Sequence, residues 1–232
     1  MITLTSEIEE RLTRALAYCY SVPFIDDVED FVWEAIWSYG IDIDAPDPLN
    51  RSKRLFDVTD TSRRVGWSAK TLVWKFETSK ECEFVIQRAD VFKKAKDLGF
   101  QPLDENSDPQ TIGDAVLEHW TRKVQEDMTV QGVDDPRVSI LLKNLVAKEF
   151  EVRLKWAVLE EALVLPKRDE ISWSWTNSER LGLQGTRKSD GFVLFRWYRN
   201  QKQLFERMKF PTGLVVREIP LTRKTAEEIL GS

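Results

Sequence analysis

Histidine occurs once in this chain and cysteine twice, and no long apolar run is present. Each scarcity removes a class of function. One histidine cannot build a multi-histidine zinc site or an H-x-x-x-H motif. That residue, His119, falls in a helical pattern beside Trp120 and reads as packed or half-exposed rather than as a base. Cys19 and Cys82 form no C-x-x-C pair and no disulfide framework, so they read as buried thiols of a reducing compartment. Nothing approaches the roughly 18 apolar residues of a bilayer-spanning helix. The opening MITLTSEIEE is acidic and lacks a basic-then-apolar leader. A cytoplasmic protein with no membrane partner is expected. The loops G-x-x-x-x-G-K-[ST] and G-x-G-x-x-G and the elbow G-x-S-x-G are also missing, which removes the usual markers of nucleotide hydrolysis, dinucleotide redox and serine hydrolysis.

What is present is material for a core. With 232 residues, 42% hydrophobic, the chain suits one large domain. Its net charge of −5 argues against nucleic acid, but the distribution does not. Residues 1–50 hold two basic side chains against eleven acidic, residues 51–100 twelve against seven, and residues 167–217 eleven against five. Two basic stretches behind an acidic amino-terminal one suit a surface that grips phosphates over part of its area. They are equally compatible with ordinary solvated charge.

Helical spacing of Ile8, Leu12, Ala15, Leu16 and Cys19 predicts a helix over 5–20, capped by Thr5 or Ser6. A second is predicted over 27–39, with Asp27 as cap, Asp30 three residues on, and Gly40 ending it. From Lys53 to Phe92 the period shifts to strands: RLFDVT, VGWSAKTLVWKF and CEFVIQRADVF, separated by the turns DTSRR and ETSKE. These predict a three-stranded meander with Ser68, Lys70, Leu72, Trp74 and Phe76 on one face of the middle strand. Asp108-Pro109 opens a helix that Gly132 breaks. RVSILLKN reads as a buried strand, and KEFEVRLKWAVL, strictly alternating, as another. DEISWSWTN, GFVLFRWYRN and QLFERMKF predict a β-rich carboxy-terminal part, followed by a short helix over Thr225–Leu230. The expected organisation is one α/β (α+β) domain, with a core over 1–165 and a β-rich lobe over 166–232.

Within the middle strands, Asp57 precedes a charged turn and Lys70 stands two residues past Ser68. An acid can hold a divalent cation, and a lysine can orient water beside a phosphate. The same pair also makes an ordinary surface ion pair. Residues 53–92 resemble the PD-(D/E)XK nuclease superfamily, and within it the type II restriction endonucleases. The resemblance implies a mixed central sheet flanked by helices, Mg²⁺ as cofactor, double-stranded DNA as substrate, and a homodimer matching palindromic sites. It places the first acid on Asp57 and the lysine on Lys70. Ser68 stands where the family usually has Asp or Glu, so a further oxygen must come from elsewhere. Glu34 on the preceding helix is favoured, because nucleases of this type often borrow a helix glutamate. Asp60 and Glu83 are alternatives, and Gln87 offers a neutral oxygen.

The carboxy-terminal part supplies candidates for reading DNA. SERLGLQGTRKSD reads as a polar loop carrying Arg180, Gln184, Arg187 and Lys188, residue types that bridge guanine or adenine in the major groove. Arg196, Arg199, Lys202 and Lys209 are placed to meet phosphates. Trp173 and Trp175 alternate with serines and read as a core face. Two other functions fit the same residues: a nucleic-acid-binding module that does not cut, and a protein–protein adaptor using the acidic amino-terminal helices.

Overall fold

The computed structural model describes residues 4–22, 25, 27–44, 54–75, 78, 80–148 and 151–222. In chain order the elements are α1 (Ser6–Ser21), α2 (Asp30–Gly40), β1 (Val58–Asp60), β2 (Val65–Val73), β3 (Glu81–Arg88) and α3 (Val91–Lys94). There follow α4 (Pro109–Gln131), β4 (Asp135–Lys148), β5 (Glu151–Ala162), β6 (Ile171–Trp175), β7 (Gly182–Arg187), β8 (Val193–Tyr198), β9 (Gln203–Lys209) and β10 (Arg217–Leu221). The closing helix expected over Thr225–Leu230, and Phe76, lie outside the described residues. The chain is α+β, with one mixed and one antiparallel sheet.

Two compact units form. One comprises Met1–Thr78, Asp127–Leu163 and Pro211–Ser232; the other comprises Ser79–Glu126 and Val164–Phe210. The chain therefore passes between units four times, where a single division near residue 165 was expected. In the first unit the strands run in the order β1-β2-β4-β5-β10. β1 and β2 form an antiparallel hairpin, β2 runs parallel to β4 with Lys70 opposite Ile140, and β4, β5 and β10 are antiparallel. The second unit has the antiparallel order β3-β9-β8-β7-β6.

This corrects the three-stranded meander. β2 pairs with β4, and β3 joins the other sheet. The physics favours both choices. Gly66 through Ala69 are buried without alternation, the mark of an interior strand covered on both faces. β3 carries Glu81 and Glu83 opposite Lys209 and Arg207 of β9, so each carboxylate faces a cation across the ladder.

The core of the first unit is aromatic. α1 buries Leu12, Leu16 and Tyr20 at four-residue spacing, and Thr5 Oγ1 accepts the Ile8 amide at 3.3 Å as its cap. α2 buries Trp33, Ile36 and Trp37. Trp33 and Trp37 lie 5.6 Å apart between ring centroids, and Trp37 meets Trp67 of β2 edge-on at 6.3 Å. Trp33 Nε1 donates to the Ser139 carbonyl and hydroxyl, each at 3.2 Å, which fastens α2 to β4. The amino-terminal end of α2 is thereby carried to β2.

Gly66 shows how tightly the approach to β2 is packed. A Cβ there would fall 2.7 Å from Phe56 Cγ and 2.7 Å from Val133 Cγ2. Alanine is the better strand former, but overpacking a core costs about 1–3 kcal/mol and exceeds that gain. Gly66→Ala is expected to lower stability by about 2 kcal/mol in denaturant titration; an unchanged midpoint would contradict this packing.

Candidate active site

β1 is three residues long and pairs only with residues 65–67 of β2. Asp57, just before it, adds one bond from its amide to the Trp67 carbonyl at 2.9 Å. β2 then continues to Val73 with no strand on that side among the described residues. Alternate residues of a strand direct their amides to the same edge. Those of Ala69 and Thr71 consequently point where β1 has ended. Each is taken by a carboxylate. Asp57 Oδ2 accepts the Ala69 amide at 2.8 Å, with Ser68 Oγ 3.5 Å away. Asp30 Oδ1 accepts the Thr71 amide at 2.7 Å and the Thr71 hydroxyl at 2.9 Å. The two anchoring amides are separated by about 7 Å of strand.

Both acids are held from behind. The last turns of α4 supply Asp127 and Gln131, four residues apart on one helix face. Asp127 Oδ2 accepts the Leu55 amide at 2.7 Å, and Gln131 brackets Phe56, donating to its carbonyl at 2.8 Å and accepting its amide at 3.3 Å. Asp57 follows directly. Asp30 is the first residue of α2, whose tryptophans lock it into the core.

Three charges act on one another here. Burial pushes the half-buried Asp57 carboxyl above its ordinary range. The Lys70 ammonium and the Ala69 amide pull it down, and the Asp30 charge pushes it up again. Of the expected group, Ser68 Oγ lies 3.5 Å from Asp57, and Lys70 acts on Asp57 through its charge. The structure adds Asp30, which sequence reasoning had assigned only to the start of a helix. No local pattern marks Asp30; its role comes from where α2 meets β2.

The other expected oxygen donors fare differently. Glu34 lies one turn after Asp30 on α2, and its carbonyl accepts Ser38 Oγ at 2.9 Å. Asp30, on the same helix, bonds the strand edge at Thr71. Asp60 is spent in the β1–β2 turn: its Oδ1 accepts Ser62 Oγ, the Ser62 amide and the Arg63 amide, and these bonds hold its carboxyl below the usual range. Glu83 and Gln87 stand on β3 in the second unit, so neither follows β2 in its sheet. Glu83 accepts from Arg196 at 3.0 Å, and Gln87 contacts His119. His119 is half-buried, and burial with the charges of Lys94 and Lys123 lowers its pKa to about 4, leaving it neutral at pH 7.

The residues expected to read DNA are largely committed within the second unit. The predicted polar loop is in part strand β7, because Leu183 and Gly185 pack inward. Arg187 forms a two-pronged pair with Asp190, both bonds 2.9 Å, which draws Asp190 down to about 2. Arg180 donates to the Glu105 carbonyl at 2.8 Å and Arg196 to Glu83. Gln184 Nε2 lies 3.5 Å from Ser174 Oγ. Lys188 is exposed and Arg199 half-buried.

Among the described residues no cluster of three or more His, Cys, Asp or Glu side chains is placed to hold a metal. No helix among them is long and apolar enough to cross a membrane. No known protein family, curated protein or solved structure matches the chain.

The raised pKa of Asp57 is a statement about stability. A carboxyl whose pKa is higher folded than unfolded weakens the fold as pH rises through that window, and costs nothing once both states are protonated. Asp57→Asn keeps an oxygen for the Ala69 amide and removes the charge. Its melting temperature is expected to exceed the parent's by a few degrees at pH 7, with the gap closing below about pH 4. Equal melting temperatures at pH 7 would contradict the strained carboxylate.

Proposed function

We propose that this chain is a divalent-cation-dependent endonuclease for double-stranded DNA, of the type II restriction class, working as a homodimer. One observation carries the reading: two carboxylates hang on alternate amides at the free edge of β2, with Lys70 on the same strand. Mg²⁺ suits this pair, since it commonly takes one or two carboxylates and fills its remaining positions with water and substrate phosphate. Asp57 Oδ1 and Asp30 Oδ2 accept no hydrogen bond among the described residues, so each acid has an oxygen left for a cation. When bound there, Mg²⁺ would supply Lewis-acid polarisation of the scissile phosphate.

The side chains then divide the work. Asp57 and Asp30 fix the cation's place from two elements, a strand lead-in and a helix start. Lys70 orients the attacking water and neutralises charge that grows on the phosphoryl oxygens. In the reaction the water oxygen bonds to phosphorus, the bond from phosphorus to the leaving sugar oxygen breaks, and the water proton ends on that oxygen. Ser68, where an acid would add a third carboxylate, offers only a hydroxyl. That observation favours the second reading, a nucleic-acid-binding module that does not cut.

Unmethylated phage DNA with Mg²⁺ is expected to give discrete fragments, and EDTA to abolish them. Lys70→Ala and Asp30→Asn should each slow cleavage by about two to three orders of magnitude with little change in thermal stability. A gel shift without fragments would favour the binding module. Full cleavage by either variant would remove the assignment of this site.

A further inference from the structure

Lysine is costly to bury, and Lys143 is 3% exposed in the middle of β4, directly after the apolar Ile140, Leu141 and Leu142. Its ammonium donates to Asp27 Oδ1 and to the Val28 carbonyl. Tyr20, 1% exposed at the end of α1, donates its hydroxyl to the same Asp27 oxygen at 2.9 Å. The Val28 amide donates to it as well, also at 2.9 Å. One carboxylate oxygen therefore gathers a strand lysine, a helix tyrosine and its own neighbour's amide, three residues ahead of the start of α2.

The usual device for fixing a helix start is missing here. Residue 29, the cap of α2, makes no side-chain capping bond, and such a bond is typically worth about 1 kcal/mol. The expected cap, Asp27, lies two residues before that position and is occupied by Lys143 and Tyr20. From Val28 the chain needs only two residues to reach Asp30, whose carboxylate meets β2 at Thr71. β4 is also tied to the end of β2, since the Trp74 amide donates to the Lys143 carbonyl at 2.8 Å.

We propose that Lys143, acting through Asp27 and with Tyr20, is a positioning residue that sets the first turn of α2 and so holds the Asp30 carboxylate on the edge of β2. This rests on the reading of Asp30 as part of the site, and not on the chain cutting DNA. The alternative role for Lys143 is simple stabilisation of the first unit, which predicts no preference for Thr71 over its neighbours. An open cavity of ≈ 280 Å³ bordered by Tyr20, Asp27, Val73, Lys143, Asn144 and Leu145 leaves room for other side chains at position 143.

Amide hydrogen exchange read residue by residue by NMR in the metal-free protein separates the two roles. The Thr71 amide is protected by Asp30 and the Ala69 amide by Asp57, which makes Ala69 the internal control. Lys143→Met is expected to speed Thr71 exchange about tenfold, the loss of one charge-assisted bond, while Ala69 stays within about twofold. Asp30→Ala should reproduce the Thr71 effect, and adding Lys143→Met to it should bring no further rise. Tyr20→Phe keeps the ring and its packing, and should speed Thr71 about threefold, which covers the case in which Lys143→Met does not fold. Equal acceleration at Ala69 and Thr71, or an unaltered Thr71 in Tyr20→Phe, would overturn the proposal. A protein that never cuts DNA would leave this exchange test standing.

Discussion

A strand that outruns its neighbour leaves backbone amides without partners, and buried or half-buried amides do not stay unsatisfied. In this protein β2 outruns β1 by six residues, and the amides of Ala69 and Thr71 fall in the gap. Two aspartates fill it, one from the segment entering β1 and one from the start of α2. The convergence of charge follows from that geometry. Acids brought in to satisfy a strand edge are forced near each other and near Lys70, and Asp57 is taken partly out of water while Asp30 stays exposed. Burial first, with the Asp30 charge adding to it, raises the Asp57 pKa against the pull of Lys70 and the Ala69 amide.

Three groups of residues support this edge. Asp127 and Gln131, on the last turns of α4, clamp the backbone of Leu55 and Phe56. Trp33, Trp37 and Trp67 pack α2 against the sheet. Asp27, Tyr20 and Lys143 hold the residues just before Asp30. Asp127, Tyr20 and Lys143 are buried polar groups with partners, and the tryptophans are aromatic anchors, so the two carboxylates are held from the core. Precise placement of this kind is what phosphoryl chemistry demands of a protein.

Periodicity made much of the first unit readable. The stripe Leu12, Leu16 marks α1, the proline at 109 marks the start of α4, and the alternation Val152, Leu154, Trp156, Val158 marks β5. The pairing of those elements was not readable in the same way. Adjacent strand patterns at 65–73 and 81–88 look like neighbours, yet one lies parallel to β4 and the other beside β9. β7 was hidden because its glycines and polar residues resemble a loop; only the packing of Leu183 and of Gly185 against Trp173 reveals it. The site divides similarly. Asp57, Ser68 and Lys70 are close in sequence and were legible as a group. Asp30 joins them through tertiary contact alone, and Asp60, locally plausible, proves to be a turn residue.

The central claim is that Asp30 and Asp57 share one divalent cation at the open edge of β2. Crystals grown with Mn²⁺, measured for anomalous scattering, address it directly. A peak within coordinating distance of both carboxylates, lost in crystals of Asp30→Asn, is the expected result. A map with no peak at that edge, or with manganese bound by other residues alone, would contradict the account.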